Sequence, residues 1–243
     1  MISLSKIFLT DKKFEIIDSS FCTGKFNMEF DLQRAYDVEN NSATPMFRIY
    51  GWKPWCLSLG HNQSDENIEK DELAKHGFDI VRRPTGGRAV FHSEELTYSL
   101  VIKLNEKMNK REAYRISHDI LNKAFLGLGI ETDFIKSDSD QRDFRKMEGH
   151  KESCFGSSAR YELEKDGKKI VGSAQRIIGD TLLQHGSVLL SDSHLRIINF
   201  IKSKEKETLL GFLKSKSTSL SEIAGKEITY SQLVNSILNI IEQ

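Results

Sequence analysis

The chain has 243 residues, of which 38% are hydrophobic and 29% charged, so it is long enough to bury a core as one main α/β domain. Its 35 basic and 35 acidic residues leave a net charge of zero, which argues against nucleic acid or an anionic membrane as a partner. The N-terminus lacks a signal-peptide pattern, and no apolar run is long enough to span a membrane, so we expect a cytoplasmic protein. The three cysteines, at positions 22, 56 and 154, have neither C-x-x-C spacing nor an even count, which argues against a zinc site or a disulfide framework.

The first elements are a helix and two short strands. "NMEFDLQRAYDV", residues 27–38, repeats apolar residues at helical spacing, and Asn27 is placed to cap that helix. "MFRIYGW" and "WCLSLG", residues 46–52 and 55–60, alternate or run apolar as strands do. The acidic and lysine-rich segment 64–77 then predicts a helix that ends at a glycine.

A loop flanked by strands follows in the middle of the chain. "FDIVRR", residues 78–83, predicts a strand that enters the loop, and "ELTYSLVIKL", residues 95–104, predicts one that leaves it. In the second strand, one face carries Leu96, Tyr98, Leu100 and Ile102, and the other carries Thr97, Ser99 and Val101. Residues 109–128 predict a long amphipathic helix, and the polar, aperiodic segment 136–153 predicts an exposed, mobile loop.

Three strands are predicted in residues 161–190, with turns at Asp166-Gly167 and near Gly179-Asp180. The lysine-rich remainder has a helical pattern. Taken together, these elements predict an α/β (α+β) fold in which helices flank a mixed, largely antiparallel sheet. We expect a catalytic domain over residues 1–200 and a helical tail, 201–243, packed on it.

The loop "RRPTGGRAVFHS", residues 82–93, concentrates donors beside two adjacent glycines. Gly86 and Gly87 permit positive φ and let the main chain approach a ligand with its N–H groups. A hairpin turn that uses the glycines for geometry alone is an equally good interpretation. The pattern is neither a P-loop nor G-x-G-x-x-G, so phosphate binding of those two kinds is excluded.

Cys154 and Lys169 form the second candidate group. Cys154 ends the polar segment and precedes Phe-Gly-Ser-Ser, so small residues leave space around it. A free thiol has a pKa of about 8.5, and a nearby ammonium raises its thiolate fraction. If residues 158–163 and 168–173 pair as a hairpin, Lys169 lies near the chain that follows Cys154. The alternative is an inert surface cysteine and a lysine that faces water.

Four blocks, in order, resemble the lipoate-protein ligase and octanoyltransferase superfamily: "RRPTGGRAVFHSEELTYSL", "CFGSSARYEL", "GKKIVGSAQR" and "LQHGSVLL". "FNMEFD" resembles a fifth. Within the superfamily the chain is most similar to the cysteine-dependent octanoyltransferases of the LipM type. It departs from the ligase pattern at Arg88, where ligases usually have a third glycine, and at Tyr161-Glu162, where they have Asn-Asp. The fold implied is that of the lipoate and biotin protein ligase catalytic domain.

The resemblance implies roles for individual residues. Cys154 is the nucleophile that takes an octanoyl group from octanoyl-acyl carrier protein, and Lys169 lowers its pKa. The acceptor is a lysine of a lipoyl-domain protein, such as glycine cleavage H protein, and no cofactor or metal is required. Main-chain N–H groups of Gly86, Gly87, Gly172 and Ser173 face the oxyanion, and either His92 or His185 assists proton transfer. The substrate-binding set consists of Arg83, Gly86, Gly87, His92, Gly172, Ser173 and His185.

Three other functions are compatible with the sequence. An ATP-dependent lipoate ligase would bind the same acyl chain but activate a free acid as an adenylate. An octanoyl amidotransferase would move the group between two lipoyl domains through the same cysteine. A catalytically idle protein would bind lipoyl domains or acyl carrier protein without transferring anything.

Overall fold

The computed structural model describes residues 4–136 and 161–241. Its α-helices are α1 (Leu4–Ile7), α2 (Gly24–Glu39), α3 (Lys70–Lys75), α4 (Lys110–Gly127), α5 (Lys206–Lys216), α6 (Leu220–Ala224) and α7 (Tyr230–Ile241). Its strands are β1 (Glu15–Cys22), β2 (Met46–Trp52), β3 (Cys56–Leu59), β4 (Asp79–Arg82), β5 (Val90–His92), β6 (Glu95–Lys103), β7 (Asp133–Lys136), β8 (Tyr161–Lys165), β9 (Lys168–Lys169), β10 (Val171–Ile178) and β11 (Thr181–Leu189). A 3-10 helix spans Asp192–Phe200.

The main sheet has five strands in the order β1-β2-β6-β11-β10. Only β1 and β2 run parallel, and the other neighbours are antiparallel. The central strand is β6, and its predicted alternation is confirmed. Leu96, Tyr98, Leu100 and Ile102 belong to the large core cluster that also contains apolar residues of α4, whereas Val101 packs with residues of α2. Helices therefore flank both faces of a mixed, largely antiparallel sheet, which confirms the predicted fold class.

Two smaller sheets accompany the main one. The order β4-β3-β5 forms a three-stranded sheet that carries both ends of the 82–93 loop, and β7-β8-β9 forms the third. In the third sheet, Asp166 and Gly167 have φ values of +51° and +71°, as the predicted hairpin turn requires. The hairpin is shorter than predicted, because the chain leaves β8 after Lys169 and from Val171 pairs with β11 instead.

Two local predictions are wrong. The cap of α2 is Thr23, whose hydroxyl accepts from the Phe26 N–H at 3.3 Å, while Asn27 lies inside the helix and is buried. The helix predicted over 64–77 is limited to α3, because Ile68 pairs with Ile201 in a β-bridge and holds the chain before α3 extended. In both cases a tertiary contact overrides the local pattern.

Helices α6 and α7 pack against the core that α4 covers, whereas α5 packs in a second core with β3 and β5. Leu233 and Ile237 of α7 are buried in it, and the Ser236 hydroxyl donates to the Ala124 carbonyl at 2.7 Å. No helix in the two described ranges has the length and apolar content that crossing a bilayer requires.

Candidate active site

Arg83 shapes the loop that joins β4 to β5. Its side chain is 4% exposed and donates to the Ser58 carbonyl at 3.1 Å, to the Gly86 carbonyl at 3.0 Å and to the Arg88 carbonyl at 2.6 Å. A guanidinium has five N–H donors in a fixed planar fork, so one side chain can hold several carbonyls at once. Arg83 thus ties the two ends of the loop to β3.

The two glycines of this loop differ in their roles. Gly87 has a φ of +100°, a conformation that favours glycine, and its carbonyl lies directly against Gly60. Gly86 has no positive φ, and open space surrounds the position where a Cβ would stand. Gly87, and not Gly86, therefore serves the close packing of the loop on Gly60, which directly follows β3.

A narrow cavity of about 30 Å³ lies between the main sheet and the small sheet. Its wall is made of apolar and aromatic side chains, main-chain segments of β10 and β11, and a few polar groups. The lining residues are Met28, Tyr50, Trp52, Arg83, Val90, His92, Thr97, Gly172, Ser173, Ala174, His185, Gly186 and Ser187. This volume holds about two water molecules.

A fully buried ion pair lies beneath the cavity wall. Arg48 of β2 donates to Asp31 of α2 at 2.9 Å, and both side chains are 0% exposed. The guanidinium also donates to Asn27 Oδ1 at 2.7 Å and lies 4.0 Å from the centre of the Tyr50 ring, while the Tyr50 hydroxyl donates to Asp31 at 2.9 Å. These bonds satisfy the charges and fix α2 against β2.

His185 lines the cavity between this ion pair and the loop. Its Nε2 lies 2.6 Å from the Thr85 hydroxyl, and its Nδ1 lies 3.8 Å from Asp31 Oδ2, without a hydrogen-bond partner among the described residues. Burial lowers the pKa of His185, although Asp31 opposes the shift. His185 therefore lies between the Thr85 hydroxyl and the Asp31 carboxylate at the edge of the cavity.

His92 is held on all sides. Its Nδ1 contacts Glu95 Oε1 at 2.8 Å, its Nε2 contacts the Ser58 hydroxyl at 2.7 Å, and its ring stacks on Trp52 with centroids 3.9 Å apart. Since both nitrogens already have partners, His92 organises the cavity wall.

Lys169 is buried at the point where the chain passes from β9 to β10. Four residues later, the Ser173 hydroxyl lies 3.0 Å from Nε2 of His118 in α4 and 2.9 Å from the Tyr98 hydroxyl. Burial and then the charge of Lys169 lower the pKa of His118 to about 3. The Ser173 side chain thus engages α4 while its residue also borders the cavity.

The structure brings together most of the predicted binding residues. Those that line the cavity are Arg83, His92, Gly172, Ser173 and His185. Gly86, Gly87 and Lys169 are not among its lining residues, and Cys154 lies outside the described residues. Sequence reasoning missed Asp31 and Arg48, although an arginine inside the apolar "MFRIYGW" strand was a signal of a buried partner.

Cys22 and Cys56 are the cysteines among the described residues. Cys56 is buried, and burial raises the pKa of its thiol well above the usual range. The Cys22 thiol is half-buried and donates to the Ser19 carbonyl at 3.4 Å. Within residues 4–136 and 161–241, no group of three or more His, Cys, Asp or Glu side chains is arranged to hold a metal ion.

Comparison with protein families gives a match over residues 23–242 to the lipoyl protein ligase A/B catalytic domain. An octanoyltransferase LipM of Anoxybacillus flavithermus is 33% identical to this chain over 225 residues, which cover 89% of the chain and 80% of the relative. An octanoyltransferase LipM of Bacillus subtilis is 30% identical over 223 residues, with 89% and 80% coverage. These relatives confirm the resemblance to LipM-type octanoyltransferases.

Solved structures of two lipoate-protein ligases have the same fold. A bipartite lipoate protein ligase of Thermoplasma acidophilum superposes with a TM-score of 0.69 at 16% identity, covering 95% of this chain and 83% of that protein. A lipoate-protein ligase A bound with ATP superposes with a TM-score of 0.65 at 16% identity, covering 96% and 85%. At this identity the two structures establish the fold alone.

Proposed function

The chain belongs to the lipoyl protein ligase A/B catalytic domain family, and on that basis we propose that it is an octanoyltransferase of lipoate biosynthesis. The observation that carries the proposal is the similarity, at 30–34% identity, to relatives named octanoyltransferase LipM along nearly the whole chain. The cavity between the two sheets, with its apolar wall and few polar groups, has the character of an acyl-binding site.

The proposed donor is octanoyl-acyl carrier protein, and the proposed nucleophile is Cys154. The thiolate attacks the thioester carbonyl, the bond between the acyl carbon and the carrier sulfur breaks, and the carrier leaves as a thiolate that takes a proton from water. The ε-amine of a lysine on a lipoyl domain, such as that of glycine cleavage H protein, then attacks the acyl-enzyme. An amide forms, the Cys154 thiolate leaves, and the amine proton passes to a base. No ATP is consumed, because the acyl group arrives already activated.

The described residues have separate roles in this scheme. Lys169 supplies a positive charge that favours the thiolate and the oxyanion. One main-chain N–H group of the adjacent pair Gly172 and Ser173, which line the cavity, donates to the acyl oxygen, since neighbouring N–H groups point to opposite sides of β10 and one side pairs with β11. His185, which lines the cavity, accepts the amine proton. His92 holds Ser58 and the aromatic wall in place.

The acyl chain requires more space than the cavity has. Its volume of about 30 Å³ is too small for an eight-carbon chain, so lining side chains must move when the chain enters. Met28 is the most flexible of the apolar side chains that line the cavity, and methionine adapts readily to irregular volumes. Burial of the chain would contribute about 0.8 kcal/mol per methylene group.

The decisive experiment mixes the protein with octanoyl-acyl carrier protein and a lipoyl domain, with and without ATP and magnesium, and follows the mass of every component. Without the acceptor, we expect a hydroxylamine-sensitive octanoyl adduct on Cys154. With the acceptor, we expect an octanoyl amide on the lipoyl domain that does not depend on ATP. An ATP requirement with free octanoate would show a ligase instead.

Cysteine variants provide the controls. Cys154→Ala should form no adduct and transfer nothing, whereas Cys22→Ala should behave as the wild type. Cys154→Ser should form an oxyester slowly, because a hydroxyl is a weaker nucleophile and its ester reacts less readily with the amine. Transfer from one octanoylated lipoyl domain to another, without transfer from the carrier protein, would show an amidotransferase.

A further inference from the structure

A second pocket lies at the end of the main sheet where β1 and β11 end and β6 begins, beside the start of α7. Its volume is about 220 Å³, which holds about fifteen water molecules, and it shares no lining residue with the cavity between the two sheets. None of the described residues that line it is basic. Its lining includes three glutamates and three aromatic residues, namely Glu94, Glu95, Glu227, Phe21, Trp55 and Tyr230. We call it the acidic pocket.

Glu95 is the buried glutamate of the acidic pocket, with a side chain that is 1% exposed. Its Oε1 accepts from the Thr97 hydroxyl at 2.7 Å and contacts His92 Nδ1 at 2.8 Å. Its main-chain N–H donates to the Ser93 carbonyl at 3.0 Å. Oε2 is buried and has no hydrogen-bond partner among the described residues. Because a buried carboxylate oxygen without a donor lowers stability, a donor that reaches Oε2 would bind there favourably.

The other two glutamates lie at the mouth of the pocket, since both are exposed. One oxygen of Glu94 accepts from the Ser191 hydroxyl at 2.6 Å. The three carboxylates do not converge on one point, because no group of three or more His, Cys, Asp or Glu side chains in the described ranges is arranged to hold a metal ion. Negative charge both inside the pocket and at its mouth fits an elongated organic cation better than a metal ion.

Aromatic rings supply the apolar part of the pocket. Phe21 and Tyr230 lie with their ring centroids 4.7 Å apart. The Trp55 ring already attracts one cation, because the Arg196 guanidinium, which does not line the pocket, lies 5.0 Å from its centre. Aromatic faces attract cations, and apolar walls favour the methylene stem of a ligand. The lining therefore suits a positive charge carried on an aliphatic chain.

We propose that the acidic pocket binds a primary alkylammonium ion, whose ammonium donates to Glu95 Oε2 and whose stem packs on the aromatic rings. The exposed carboxylates favour a second positive charge at the mouth, so the ligand is a free aliphatic diamine or a lysine side chain next to another basic group. Because Glu95 also contacts His92, which lines the cavity between the two sheets, the occupied pocket changes the surroundings of that cavity. The binding itself does not depend on the proposed function.

Calorimetric titration with cadaverine tests the binding. We expect one site per chain and an affinity that falls as salt is added, because salt screens charges at the mouth. Pentanediol, the neutral analogue, should not bind. Acetyl-dilysine amide distinguishes the two sources of the ligand: tighter binding of the dipeptide would assign the pocket to a protein side chain, and tighter binding of cadaverine would assign it to a free diamine.

Three glutamate variants locate the site. Glu95→Gln keeps the shape of the side chain but loses its charge, and we expect cadaverine to bind at least about tenfold more weakly. Glu227→Gln at the mouth should weaken binding about twofold to fivefold, because exposed ion pairs contribute little. Glu131→Gln is the control, since Glu131 is exposed and does not line the pocket, and it should bind as the wild type does.

Nuclear magnetic resonance of protein labelled with 15N-histidine adds a readout at the neighbouring side chain. Cadaverine should shift the ring nitrogens of His92, which the spectrum of His92→Gln identifies. It should leave those of His76 unchanged, although His76 also contacts a carboxylate, that of Glu72 at the surface. If Glu95→Gln does not fold, this shift and the Glu227→Gln affinity decide the matter.

Three results would overturn the inference. The first is that neither cadaverine nor the dipeptide binds, in which case the pocket holds only water. The second is equal affinity in the wild type and in folded Glu95→Gln. The third is a shift of His76 as large as that of His92, or equal affinity in the wild type and Glu227→Gln, which would show unspecific attraction to surface carboxylates. Octanoyl transfer by the wild type is measured separately, so failure of the proposed function would leave this inference standing.

Discussion

Replacing Gly60 with alanine tests whether close packing of the loop sets the geometry of the site. A Cβ on Gly60 would lie 2.8 Å from the carbonyl carbon of Gly87 and closer still to its oxygen. Both neighbours are main-chain atoms, so no side chain can rotate away. Non-bonded carbon atoms pack at about 3.5 to 4.0 Å, and because the oxygen is the closer of the two atoms the loop at Gly87 must retreat by at least about 1 Å.

This displacement has a cost in stability and in activity. Overpacking of this kind costs about 1 to 3 kcal/mol, and the reduced entropy of the unfolded alanine chain offsets about 0.4 to 1 kcal/mol of it. We expect a net loss of about 1 to 2 kcal/mol in the free energy of unfolding. The displaced loop would also pull on Arg83, which holds the Gly86 and Arg88 carbonyls. A misplacement of about 1 Å at a reacting site can reduce the rate about a hundredfold.

Urea unfolding and octanoyl transfer to a lipoyl domain measure the two effects. Gly211→Ala is the matched control, because it lies in α5 with open space around the added Cβ. That variant should gain about 0.5 to 1 kcal/mol and retain full activity. If Gly60→Ala has the stability and the transfer rate of the wild type, the loop is not held by this contact and the reasoning is refuted.

Three further predictions concern buried charge and the nucleophile. Arg48→Met leaves Asp31 buried without its cation and should cost about 3 to 5 kcal/mol by urea unfolding, whereas a loss below about 1 kcal/mol would show that the pair is not buried in solution. Lys169→Ala should slow alkylation of Cys154 near neutral pH, whereas Lys169→Arg keeps the charge and should not. If the alkylation rate of the alanine variant depends on pH as that of the wild type does, Lys169 is a structural residue. An unfolded histidine has a pKa near 6.5, which is above the lowered pKa of His118 in the folded protein. As the pH falls, the unfolded chain therefore binds the proton first. The free energy of unfolding should decrease below about pH 6.5, by up to about 1.4 kcal/mol per pH unit. His118→Gln should show a weaker dependence between pH 7 and pH 5, and equal slopes in the two proteins would contradict this assignment.

Sequence patterns predicted the elements whose periodicity coincides with their burial. The alternation in β6 is visible in the sequence because one face of that strand packs against α4 and the other against α2. Similarly, Asp166-Gly167 predicted a turn because the required backbone angles favour those residue types. Local signals of this kind need no knowledge of the rest of the chain.

The polar side chains of the site form hydrogen bonds with residues that are far away in sequence, so no local sequence pattern predicts these bonds. The Thr85 hydroxyl and His185 are 100 residues apart in sequence, and Tyr98 and Ser173 are 75 apart. Arginine is mostly an exposed residue, yet the Arg83 side chain donates its hydrogen bonds to carbonyls of its own loop. The resemblance to a known family predicted a set of site residues, whereas the hydrogen-bond partners of the described ones came only from the structure.

Because β6 is the central strand of the main sheet, its two partners are synthesised at different times. Its partners are β2, which is synthesised earlier, and β11, which is synthesised about eighty residues later. Until β11 emerges, the nascent chain exposes the unpaired edge of a long strand, and such an edge invites pairing with other chains. Synthesis of the segment between the two strands is therefore the interval in which this protein most needs protection from aggregation.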